Sequence, residues 1–546
     1  MRRICTRWLA VSAILLGPLG TARSAEVPAS DAAAEVDRLL AQEVFASPAE
    51  VHLAPPANDE IYLRRVYLDL VGEIPGPNEI CQFVLDPSPN KRAEFVARLL
   101  DDPRYGRNWG RYWRDVISYR RSAGEGAQFG IATLETYLAD SFNANRPWAE
   151  VARAFVEAKG EVLTNGQAGL FVAQLAEPTD VASEMSRIFL GVQIQCAQCH
   201  DHPTDRWKRE QFHQFAAFFP RVGLRRAANA GRAGIEVASF DNGPETRRPG
   251  MFGSAAKEHY MPDLKDPSSR GTLMTPVFFA TGQKLATGAT DDERRHSLAE
   301  WMTSQENPWF SKAVVNRLWA ELVGEGFYEP IDDLGPDRKC SAPQTIDYLA
   351  DQFTAHGHDL KWLLETILGT AAYQRESRPR RLPDEAPFAA NAPHRLRSDQ
   401  LYDVLTAVMG YDPDEALIRS QQPQPAGRLP PGVRAQFAAV FGYDPSTRRD
   451  EITTSIPQAL MLMNSQQVNR TLTARQEGTM LGQLLATTRD NEQATIELYL
   501  RCLARTPNAQ EVAACLDHIR ASASREDAFE DIHWSLVNSK EFMYRR

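Results

Sequence analysis

A chain of 546 residues with 43% hydrophobic content is long enough for several folded units and too apolar to remain disordered. Its net charge of −10 argues against a nucleic-acid partner and against anionic membranes, which both select basic surfaces. Seven cysteines over this length exclude a disulfide-built scaffold.

The N-terminus reads as a secretion signal. Arg2, Arg3 and Arg7 form a basic start, residues 8–19 an apolar stretch too short to span a bilayer stably, and Ala22-Arg23-Ser24 a small-residue cleavage site. Cleavage after Ser24 removes a 1–24 leader with four arginines and moves the net charge from −10 to −14. No later stretch reaches the ~18 apolar residues of a membrane span. The expected location is therefore periplasmic or otherwise exported, and soluble. Six cysteines remain: Cys81, Cys196, Cys199, Cys340, Cys502 and Cys515. Cys502 and Cys515 flank a turn at unequal distances, so no bridge is expected between them.

Helices are predicted over 32–45 and over 58–71, the second with Asn58 as its cap and Gly72 as its stop. Shorter ones follow at 78–85 and 91–100. The 104–121 segment is rich in aromatic residues, and Trp109 and Trp113 share a face at i, i+4. Core packing accounts for them. The alternative is a wall against a flat cofactor, with Arg111 or Arg114 facing its propionates. Further helices are expected over 134–144, 148–158 and 179–196.

The last of these leads into Cys196-Ala197-Gln198-Cys199-His200. Two thiols three residues apart followed by an imidazole form the c-type haem attachment pattern. On one helical turn the thiols reach the two vinyl groups of one porphyrin, and His200 becomes the proximal iron ligand. Zinc would need a second ligand pair 12–20 residues on, which is absent. A thioredoxin-like motif would open a helix, whereas these cysteines close one. A structural disulfide remains open but leaves His200 unexplained.

A turn at His200-Asp201-His202-Pro203 precedes an aromatic helix over 206–219. From 221 to 290 helical periodicity vanishes. This reads as a loop-rich insert with short strands near 234–240 and 273–280. It also holds the candidates for a sixth iron ligand, Met251, His259 and Met261, with His213 as a rival on the aromatic helix. Met261 is favoured, because a loop folding over the porphyrin delivers a thioether without breaking a helix. Helices resume over 291–303 and 308–324. Asp332 and Asp333 then lie in a loop, where a turn explains them better than a bound cation. Helices over 343–353, 360–373 and 398–408, a Pro-rich linker at 423–431 and five helices within 456–544 complete the chain. His356, His358 and the remaining histidines are expected at the surface.

Four stretches carry a family resemblance: Phe189 to Pro203, Asn307 to Trp319, Arg397 to Leu401 and Ala459 to Ser465. With them the chain resembles exported planctomycete-type, cytochrome-like proteins that pair the domains of unknown function DUF1549 and DUF1553. The resemblance implies an architecture more than an activity. The expected fold is mostly α-helical: a DUF1549-like domain over 32–220 carrying the Cys196–His200 motif, the insert over 221–290, and a DUF1553-like domain over 291–546. The leading expected function is an exported c-type haem protein in periplasmic electron transfer or redox chemistry, with a redox partner protein the sequence does not identify. Haem c would be tethered by Cys196 and Cys199 and ligated by His200, with Met261 as the distal candidate. The alternatives are a non-haem binding or scaffold protein, whose cysteines form a disulfide or metal site, and an enzyme acting on exported polymers.

Overall fold

The computed structural model describes residues 27–46, 52–122, 130–227, 234–242, 256–381, 385–410, 432–464, 472–475 and 478–546. The leader, Met251 and the 423–431 linker lie outside the described residues.

Helix ends follow the residues placed at them. Asn58 accepts the N–H of Ile61 (2.9 Å) to open helix Asp59–Val71, and Gly72 closes it in the left-handed conformation. Asp359 opens Leu360–Gly369 in the same way, and Asn508 opens Ala509–Ala521. The fold is mostly helical, as expected. The 104–121 prediction corresponds to Pro103–Ser118, 291–303 to Asp291–Met302 and 398–408 to Ser398–Met409. No helix of the described residues is long and apolar enough to cross a membrane.

Strands are short. Val222–Arg226 pairs antiparallel with Ile235–Ser239, whose other edge pairs with Gly160–Glu161. The insert is thereby stitched to the segment that precedes the cysteines. Tyr260–Met261 pairs with Thr272–Leu273, so strand structure in the second predicted stretch ends almost where it begins.

The hydrophobic core does not divide at the insert. One cluster runs from Val36 through Trp113, Phe189 and Trp319 to Tyr373. A second gathers Leu396 to Met543 with Leu68. Polar ties cross between the ends of the chain as well. Glu43 accepts the N–H groups of Gln344 (2.7 Å) and Thr345 (2.9 Å), capping helix Pro343–Ala355 from across the fold. Arg64 donates to the carbonyls of Tyr544 and Glu541, and Arg545 pairs with the Asp69 carboxylate at 2.7 Å.

Several expectations are corrected. The 179–196 helix is broken into helix Pro178–Met185, a wider turn over Ser186–Leu190, and a separate 3-10 turn over Ile194–Gln198. Gly191, at φ 64°, makes the break. The histidines are not uniformly at the surface. His533 is wholly buried, His394 is buried, and burial depresses both imidazoles. His356 stacks on Trp362 at 3.9 Å, and His358 packs against Phe310 and Phe353.

Candidate functional site

Gly191 sets the approach to the cysteines. Its backbone turns the chain out of the Ser186–Leu190 turn, and its carbonyl accepts the N–H of Leu334 at 2.8 Å. A Cβ there would lie 3.0 Å from Leu334 Cδ1 and 3.2 Å from Ala313 Cβ. Gly191→Ala is expected to destabilise the fold by about 1–2 kcal/mol from left-handed strain alone, and further through this contact. Gly282→Ala is the matched control: φ is +80° there, with open space around the Cβ. Denaturant midpoints should rank Gly191→Ala below Gly282→Ala. Equal midpoints would mean that the close approach carries no weight.

Buried Ile194 and Ala197 anchor the 3-10 turn, while Cys196, Cys199 and His200 are exposed. Cys196 lies within this turn and Cys199 caps its end, on a tighter turn than the α-helical one expected. All six described cysteines are free, including Cys502 and Cys515. His200 Nδ1 lies 2.7 Å from the Asp201 carbonyl. That carbonyl can only accept, so Nδ1 carries the proton and Nε2 keeps its lone pair.

The next residues are structural. The Asp201 carboxylate accepts the Arg209 N–H (3.1 Å) and an ion pair from Lys208 (3.0 Å), and these bonds lower its carboxyl below the usual range. His202 is buried, with Nδ1 accepting the N–H of Thr204 at 3.3 Å. On helix Arg209–Ala216, His213 Nε2 donates to the Gln198 carbonyl (3.0 Å), so its Nδ1 accepts from His259 Nε2 at 2.9 Å. Burial lowers both imidazoles, to about 4 for His213 and about 3 for His259, where repulsion from His213 against a second proton adds to the effect. Arg209 also bridges the Gln198 carbonyl and that of Pro262 (2.6 Å). The segment carrying His259 and Met261 is thus tied to the cysteine turn. His213 and His259 spend their facing nitrogens on each other and on Gln198. Met261 is half-buried on its short strand.

The aromatic residues expected around a porphyrin pack on one another instead. Trp207 meets Phe279 at 5.1 Å, and Phe215 meets Phe279 at 5.1 Å. Trp109 and Trp113 are core residues, Trp113 lying 4.3 Å from Trp148. Arg111 and Arg114 pair with this chain's own Glu135, at 3.0 and 2.5 Å. Among the described residues no set of three or more His, Cys, Asp or Glu converges on a metal-sized point. Asp332 and Asp333 are taken by arginines: Asp332 by Arg187 and Arg317, and Asp333 by Arg338. Sequence reasoning missed the His213–His259 pair. The one signal for it in the sequence is that both residues are candidates for the same ligand position.

Residues 35–223 match the family model described as PSCyt2, protein of unknown function (DUF1549), and residues 294–428 match PSD1, protein of unknown function (DUF1553). No curated protein and no solved structure matches the chain.

Proposed function

We propose that this chain, which belongs to the proteins pairing a DUF1549 with a DUF1553 domain, is an exported c-type haem protein acting in electron transfer. The observation that carries the reading is the exposed turn of Cys196, Cys199 and His200. Both thiols are free and exposed, and its imidazole is held by Nδ1 with Nε2 open. Metal-ligating histidines commonly donate their other ring N–H to a backbone carbonyl, which fixes the ring and raises its basicity. The donor set therefore fits. Cys196 and Cys199 would hold the haem as thioethers, and His200 Nε2 would ligate the iron. When bound, the haem supplies a one-electron couple. Met261 is the distal candidate, since Arg209 ties its neighbour Pro262 to the same turn. The acidic surface suits a basic redox partner, by charge complementarity.

The test is export of the full chain from a host with haem maturation machinery. The denatured protein should keep a haem stain on a gel, and its mass should rise by one haem. Cys196→Ser/Cys199→Ser should lose both. An unmodified mass from a competent host would discard the haem reading and favour a disulfide or a binding role.

A further inference from the structure

Away from the cysteine turn the described residues bound an open cavity of about 1290 Å³. Helix Pro103–Ser118 and the residues just after it form one wall, and helix Val433–Phe441 lines another. Most of the cavity's arginines are committed to carboxylates. Arg111 pairs with Glu135 and Asp403, Arg114 with Asp115 and Glu135, Arg397 with Asp399, and Arg434 with Asp403. Arg121, which also lines the cavity, is different. It is exposed, its side chain donates to the Ser118 carbonyl at 3.3 Å, and it makes no ion pair among the described residues. Tyr119, two residues earlier, lines the cavity with 46% of its surface exposed. Across from them, Ala435, Ala438 and Ala439 give helix Val433–Phe441 an exposed face of small residues on the cavity.

These parts select a ligand by chemistry. A guanidinium without a carboxylate takes one from the ligand, through two parallel hydrogen bonds. A polyanion, an acidic peptide included, would bring further carboxylates against Glu135 and Asp115, whose side chains are 26% and 28% exposed. Hydroxyls meet no such repulsion, because each can donate to a carboxylate and accept from a guanidinium. The Tyr119 ring offers a flat face to the C–H side of a sugar ring, and small residues opposite leave room for it. The volume exceeds the roughly 300–1,000 Å³ of ordinary small-molecule sites, which suits several linked rings. We propose that this cavity is a second binding site, for an oligosaccharide that carries one carboxylate as a uronic or sialic acid. Arg121 holds the carboxylate, and Tyr119 stacks on a ring of the same chain. The reading does not depend on haem.

The test is calorimetry on the full exported chain with two mono-acidic probes, glucuronoxylotriose and sialyllactose, and their neutral counterparts, xylotriose and lactose. At least one acid should bind ~10-fold or more tightly than its neutral counterpart, the lower end for a hydrogen bond to a charged group. Which acid binds separates the uronic from the sialic source. Added salt should weaken the acid and leave the neutral sugar unchanged. Arg121→Gln should bring the acid to the affinity of its neutral counterpart, whereas Tyr119→Ala should weaken both by a similar factor. Both positions are exposed, so the variants should keep the wild-type circular dichroism. The proposal is overturned if neither acid binds at up to about 1 mM, if acid and neutral sugar bind equally, or if Arg121→Gln leaves the acid unaffected. Tetraglutamate binding as tightly as the acidic sugars would also overturn it, and would make the cavity an acidic-peptide site.

Discussion

Asp332→Ala is expected to lower the stability of the fold by about 3–5 kcal/mol, the range for breaking a buried charge network by removing one partner. Asp332 is 1% exposed and accepts from Arg187 (3.0 Å), Arg317 and Ser446. Arg187 is equally buried. It also donates to both Glu184 oxygens and to the Val116 carbonyl, so it cannot swing out to water when Asp332 is gone. Among the described residues Arg317 would be left with no carboxylate within ion-pair reach. Burial pushes the Asp332 carboxyl up, but the charges of Arg317 and Arg187 outweigh it and hold the group at about 2. Its folded value thus lies below its unfolded one. The stability it contributes is fully present above about pH 4 and is lost as pH falls toward about 2. Urea melts at pH 7 and pH 3 check both statements. The variant should lose most at pH 7, and the gap to wild type should narrow at pH 3. A loss under ~1 kcal/mol at pH 7 would refute the role given to this network.

That network also marks the limit of what the sequence discloses. Arg187 lies 145 residues from Asp332 and Arg317 lies 15, and no local pattern joins the three. Helices were legible because caps and periodicity are local: Asn58 and Gly72 bracket one. The 179–196 segment misled because its apolar residues keep helical spacing through a wide turn and a 3-10 turn, and only Gly191 betrays the break. Strand Val222–Arg226 lacks alternation, with three buried residues followed by two exposed ones, and it gains its sheet from partners outside its own neighbourhood. His533 was legible by position and missed by residue type. Phe529, His533 and Val537 are spaced by four and are all wholly buried. The cysteine turn was read from five contiguous residues. Its surroundings depend on Arg209, His213 and His259 converging from two later segments.

The two imidazoles of that turn should separate cleanly by mutation. His200 is exposed, and its side-chain bond is to the adjacent carbonyl. His200→Ala should therefore leave stability within about ±0.5 kcal/mol, as for surface changes generally. Tethering through Cys196 and Cys199 should persist, but the absorption bands of the haem-loaded chain should shift, because the axial nitrogen is gone. His202 behaves oppositely. It is buried, and its Nδ1 satisfies the N–H of Thr204 inside the turn that carries Trp207 into the core. His202→Ala should cost about 1 kcal/mol, the size of one lost hydrogen bond, since the N–H of exposed Thr204 can turn to water, and should leave the spectrum of the folded protein in place. Spectra and urea midpoints of the two variants, measured on the same preparations, give a crossed pattern if His200 alone serves the iron. Equal spectral loss in both would assign both imidazoles to one metal, and the turn would then be a metal knuckle rather than a haem anchor.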